Sequence, residues 1–165
     1  MGNRGTVVFT DGKGNYSCAV YLHWNGSAES IYPFLEELDR RKARNDQDYE
    51  CARFVQLVGD FFDSDEIGST SLGLANGPKN DSPAELSRIK TDLGDNGLYL
   101  VRRTEDKLVV RRFTEDYEGG ANSELREWSS AEVDAEREKA MKHEYLEGIR
   151  ATFKKIQGKR PISKY

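Results

Sequence analysis

The residues of this 165-residue chain that could do chemistry are few: two histidines, two cysteines and a scatter of carboxylates. Nucleophilic catalysis needs a thiol or hydroxyl beside a base. Cys18 precedes His23 on one predicted strand by five positions, which puts the two on opposite faces and ~17 Å apart. They cannot form a dyad. Cys51 with His23 stays open in space, but a buried reduced thiol is the plainer reading of Cys51. There is no CxxC pair and no HExxH, so a zinc hydrolase has no support. Asp60, Asp63, Asp65 and Glu66 cluster at a helix end. Read as a calcium loop starting at Asp63, they leave Ile67 and Leu74 where oxygen ligands belong, so a solvated helix terminus fits better. Gly12-Lys13-Gly14 is too short for a phosphate-binding Walker loop and suits a hairpin turn. No enzyme signature stands out, and no metal or cofactor is implied.

Two turns and one hairpin carry the remaining signal. His23-Trp24-Asn25-Gly26 offers two stacking rings and an amide at a strand end, where ligands often meet loops. The plainer reading is that Trp24 is core and Asn25-Gly26 only a turn. Asp95-Asn96-Gly97 is a second strand-flanking turn of the same kind, so His23, Trp24, Asn25, Asp95 and Asn96 are the expected ligand-binding residues. Arg102, Arg103, Lys107, Arg111 and Arg112 crowd one hairpin, where they could hold an anion or a nucleic-acid backbone. Edge-strand charge that opposes aggregation is the alternative.

These residues need elements to position them. Alternation in Thr6–Thr10 and Ala19–Trp24 predicts a first hairpin, with Val20, Leu22 and Trp24 on one face. A helix carries Ile31, Phe34, Leu35 and Leu38. Pro33 fits only its first turn, which favours Ser30 over Ser27 as N-cap. A second helix covers roughly Asp48–Phe62, and Gly68–Leu74 is expected as a short strand. Ser82-Pro83-Ala84-Glu85 predicts a short third helix. Leu98–Arg103 and Leu108–Phe113 form a second hairpin. If its turn pairs Thr104 with Lys107, then Tyr99, Val101, Leu108 and Val110 share a core face. Ser129 and Glu132 form a capping box, and Trp128 and Val133 stand at hydrophobic-staple positions. They open a predicted helix of some 28 residues, about 42 Å long, that ends near Gly158 and Pro161. Its apolar stripe of Met141, Tyr145, Ile149, Phe153 and Ile156 fills only the second half. The charged first half, Asp134–Lys139, either projects into solvent or lies under another chain.

The fold expected is α+β: a small, mostly antiparallel sheet built from two hairpins, packed against helices, with a long C-terminal helix. Residues 1–128 would form the core domain, and 129–165 the helix and a basic tail, within the same domain or as an arm. Lys and Arg number 25 against 29 Asp and Glu, a net charge of −4. Residues 142–165 hold seven bases and two acids, so the rest carries −9. Such a tail can touch RNA or DNA, but the acidic body repels the same phosphates. Basic residues also suit a helix C-terminus. No apolar run reaches membrane-spanning length and no secretory leader is evident, so a cytoplasmic protein without a membrane partner is expected.

Asn3-Arg4-Gly5 with Phe9, Ala19-Val20-Tyr21-Leu22-His23-Trp24-Asn25-Gly26, Ala52-Arg53-Phe54-Val55-Gln56-Leu57-Val58-Gly59-Asp60-Phe61-Phe62 and Gly94-Asp95-Asn96-Gly97-Leu98-Tyr99 together resemble an uncharacterised family of small proteins from bacteriophages and other mobile genetic elements. The resemblance covers about residues 3–101 and brings no catalytic residues. It implies a protein that acts stoichiometrically, in counter-defence, by capturing a host protein or a small nucleotide signal. Met141, Tyr145, Ile149 and Phe153 would then serve as a partner or homo-oligomer surface. A small hydrolase or transferase with an unrecognised acid/base site is one alternative. A nucleic-acid-associated protein using the arginine hairpin and basic tail is another.

Overall fold

The computed structural model describes residues 3–42, 44–64, 72–89, 96–105, 107–115 and 125–159. The first hairpin forms as the alternation predicts, with β1 (Gly5–Thr10) antiparallel to β2 (Ala19–Leu22). Between them, Asp11 caps its own turn by accepting from the backbone N–H groups of Lys13 and Asn15. Two helices follow, α1 (Ala28–Arg40) and α2 (Gln47–Ser64). A second stretch of sheet is built from β3 (Leu72–Ala75), the single-turn α3 (Pro83–Leu86), β4 (Leu98–Arg103), β5 (Leu108–Glu115) and β6 (Leu125–Glu127). The chain closes with α4 (Ser130–Ala140) and α5 (Tyr145–Lys159).

All six strands belong to one sheet in the order β3-β2-β1-β4-β5-β6. Every neighbouring pair is antiparallel except β1 and β4, which run parallel at the centre and join the two hairpins. The fold is therefore α+β. The second hairpin has the predicted register: Thr104 N–H donates to the Lys107 carbonyl, and Arg103 faces Leu108. Tyr99, Val101, Leu108 and Val110 consequently point to one face. There they join Val7, Phe9, Val20 and Leu22 under the helices α1, α2, α4 and α5. Phe34 is the hub of this layer, with ring centroids 5.0 Å from Phe61, 6.1 Å from Phe153 and 6.5 Å from Phe54. Such tilted and edge-on pairs add about 0.5–1.5 kcal/mol each beyond the area they bury. The opposite face carries a smaller cluster, Val8, Ala19, Leu98, Leu100, Phe113 and Leu125, closed by Leu86 of α3 and Ile89.

Four expectations are corrected. Ser27, not Ser30, is the N-cap of α1, and Pro33 lies inside the helix. Ser30 is held differently, accepting a hydrogen bond from Asn25 Nδ2. The single 28-residue rod is two helices. After Ala140 the bonds tighten to a three-residue step (Lys142 to Lys139, His143 to Ala140), and His143 Nδ1 accepts from the Tyr145 N–H. That turn lets Ala140 and Leu146 both be buried. The charged half of α4 does not project from the fold but lies on it, with Asp134, Glu138 and Lys139 on its exposed side. Glu136 takes a bidentate pair from Arg112, and Arg137 donates to the Leu108 carbonyl. Finally, β2 ends at Leu22, so Trp24 leaves the core face and stands 41% exposed.

No described helix is long and apolar enough to cross a membrane.

Candidate functional site

The two turns meet at one end of the sheet through the start of β1. Gly26 N–H donates to the Asn3 carbonyl, and Asn96 Nδ2 donates to Asn3 Oδ1 and the Arg4 carbonyl at 2.6 and 2.8 Å. The approach is close: a Cβ on Gly26 would stand 2.2 Å from the Gly5 nitrogen. Asn25 adopts a left-handed φ of 60°, which asparagine tolerates better than most residues. His23 Nδ1 meets the Tyr21 hydroxyl at 3.1 Å, and its ring stands edge-on to Trp24. Yet among the described residues the two turns line different cavities. Asn25 lines a cavity of 410 Å³ with Phe61, Tyr145 and Ile149, whereas Asn96 lines one of 490 Å³ with Trp128, Glu132 and Lys139. Both amides are engaged within the chain. Asp95, like Asp65 and Glu66, lies outside the described residues.

The arginine hairpin divides by strand parity. Arg103 and Arg112 fall on the helix face, where both are neutralised. Arg103 bonds Glu50 of α2 and, at 2.7 Å, Asp39 of α1. Burial pushes the Glu50 carboxyl up against the downward pull of Arg103. Arg112 is 2% exposed, bonds the Leu98 carbonyl, and lies against the Tyr99 and Trp128 rings while pairing with Glu136. These two arginines tie sheet to helices, and both already have carboxylate partners. Lys107 is exposed in the turn between β4 and β5.

Arg102 and Arg111 fall on the other face and line a cleft of 290 Å³ with Thr10, Gly12, Tyr16, Asp81, Leu100 and Val109. Arg111 is balanced by Asp81 at 2.6 Å and by Glu127. Arg102 is exposed, and among the described residues no carboxylate pairs with it. Its side chain lies against the first turn: a Cβ on Gly12, which has a φ of 75°, would meet Arg102 Cδ at 2.6 Å. Burial and then Asp81 raise the Tyr16 hydroxyl, so it stays protonated and able to donate at neutral pH. The cleft therefore sets a guanidinium that has no carboxylate partner among the described residues beside a phenol donor, a carboxylate acceptor and the apolar floor of Leu100 and Val109. Arg102 and Arg111 were legible as a pair of basic residues. Tyr16, Thr10 and Asp81 carry no sequence signal, because they reach the cleft from segments that only the sheet brings together.

The expected partner stripe is mostly spent inside the chain. Ile149 and Phe153 are buried in the core, Met141 packs half-buried against it, and only Tyr145 is exposed, at 57%. The docking of α5 on α1, fixed at its edge by the bidentate Arg150–Glu36 pair, consumes them. Cys51 Sγ lies 3.6 Å from Cys18 Sγ, and burial pushes its thiol up to about 12, which favours the protonated form. Among the described residues, no three His, Cys, Asp or Glu side chains are grouped to hold a metal ion. Compared with protein-family models, curated proteins and solved structures, the chain has no significant match.

Proposed function

We propose that this chain is a non-enzymatic binding protein of the phage or mobile-element type, acting in counter-defence by stoichiometric capture of a small nucleotide signal. One observation carries the reading: Arg102, without a carboxylate partner among the described residues, faces a nucleotide-scale cleft. A guanidinium is the side chain best matched to phosphate oxygens, which it can hold through two parallel bonds. The protonated Tyr16 hydroxyl supplies a further donor. Asp81, whose two oxygens offer more acceptor sites than Arg111 fills, can take a base amino group or a ribose hydroxyl. Nucleic-acid binding through the whole hairpin is less favoured, since Arg103 and Arg112 already have internal carboxylates.

The test is equilibrium binding of a panel of linear and cyclic nucleotides to the full chain, with recovery of the ligand afterwards. One class binds once per protomer and is recovered unchanged. Arg102→Ala weakens it by roughly 10–100-fold, the worth of a charge-assisted hydrogen bond. Lys107→Ala removes the same charge away from the cleft and leaves binding intact. Conversion of the nucleotide to a product would instead favour the hydrolase reading.

A further inference from the structure

Two free thiols, from opposite layers of the fold, end beside each other. Cys18 sits just before β2 and is exposed; Cys51 lies in α2 and is buried. Their sulfurs are 3.6 Å apart. A disulfide needs about 2.05 Å, so a shift of roughly 1.5 Å, within reach of side-chain rotation and a small loop movement, closes the gap. We infer that Cys18 and Cys51 form a peroxide-oxidisable dithiol, with Cys18 as the reacting sulfur and Cys51 as the resolving one.

The division of labour follows from position. Peroxide reaches the exposed Cys18 from solvent, whereas Cys51 is covered and its thiol held protonated by burial. In the first step the Cys18 thiolate attacks one peroxide oxygen and the O–O bond breaks. Cys18 becomes a sulfenic acid, and the departing hydroxide takes up a proton as water. In the second step the Cys51 sulfur attacks the Cys18 sulfur and the S–S bond forms as the S–O bond breaks. The hydroxyl leaves with the Cys51 proton as a second water. Two thiols lose two electrons in all, and one hydrogen peroxide is reduced to two waters. The product staples the start of β2 to α2 and closes a loop that includes all of α1. A crosslink closing a loop of that length constrains the unfolded chain strongly.

The test uses the full chain with near-stoichiometric hydrogen peroxide, followed by intact mass under non-reducing conditions, peptide mapping and thermal unfolding. The expected product is lighter by two hydrogens, has no titratable thiol, and yields one peptide pair joined through positions 18 and 51. Its Tm rises by about 10 °C, and dithiothreitol reverses both changes. Cys51→Ser should stop at a Cys18 sulfenic acid trapped by dimedone, and Cys18→Ser should leave Cys51 unreactive while folded. Persistence of both thiols, over-oxidation of Cys18 to sulfinic acid, or a bridge between two chains would each overturn the inference. None of these results depends on the nucleotide cleft.

Discussion

The Arg112 guanidinium carbon stands 3.7 Å from the centre of the Tyr99 ring, and the Tyr99 hydroxyl in turn donates to the Gly26 carbonyl at 3.0 Å. This contact ties the arginine hairpin to the Asn25-Gly26 turn, with Glu136 of α4 neutralising the charge. Breaking a buried pair costs more than the pair contributes, because the remaining charge is left without a partner. Arg112→Ala is therefore expected to lower unfolding free energy by about 3 kcal/mol in urea titrations. Arg112→Lys should rescue only part of it, since an ammonium cannot reproduce the two-point pairing. A loss under about 1 kcal/mol would contradict the structural role.

Gly26 shows a second constraint of this junction. Any Cβ there meets the backbone of Arg4 and Gly5 rather than a movable side chain. Gly26→Ala should cost about 2 kcal/mol or more, seen as a lower denaturation midpoint at unchanged slope.

The capping box of α4 predicts non-additivity. Ser129 Oγ accepts from the Glu132 N–H, and the Glu132 carboxylate accepts from the Ser129 N–H. Ser129→Ala should cost about 1 kcal/mol. Adding Glu132→Ala to that variant should cost less than Glu132→Ala alone, because the two bonds support each other. Full additivity in denaturant titrations would contradict the box.

Glu37 sets a pH dependence. Burial pushes its carboxyl up, but hydrogen bonds and charges from Arg40 and Arg41 outweigh that and hold it below the usual glutamate value of 4.5. The folded protein thus favours the ionised form. The resulting stability is fully present above that ordinary value and is lost as pH falls through the lower folded one. The stability gap between wild type and Glu37→Gln should be largest near about pH 6 and shrink towards about pH 3. A gap that widens in acid would contradict the pairing.

Much of the architecture was legible wherever a local rule acted alone. The β4–β5 register followed from alternation plus one turn, and the α4 start followed from Ser129 and Glu132. The parallel β1–β4 pair was not legible, because its residues lie some 90 positions apart, and β6, at three residues, shows no period. The break after Ala140 was hidden for another reason. Helix α4 docks through Glu136 and Arg137, and hydropathy patterns register no polar docking. The same limit split the arginine cluster: counting bases located it, while the carboxylates that tertiary folding brings to each base decided that Arg103, Arg111 and Arg112 are already neutralised. The cleft beside Arg102 was half visible, since Tyr16 and Asp81 reach it only through tertiary folding.

Native mass spectrometry of the full chain, purified gently from its own cells, shows whether the protein carries a captured nucleotide. Capture yields whole protomers each carrying one nucleotide-sized increment, with the increment absent from Arg102→Ala prepared alongside and retained by Lys107→Ala. Bare protomers from the wild type, or an increment that persists in Arg102→Ala, would contradict it.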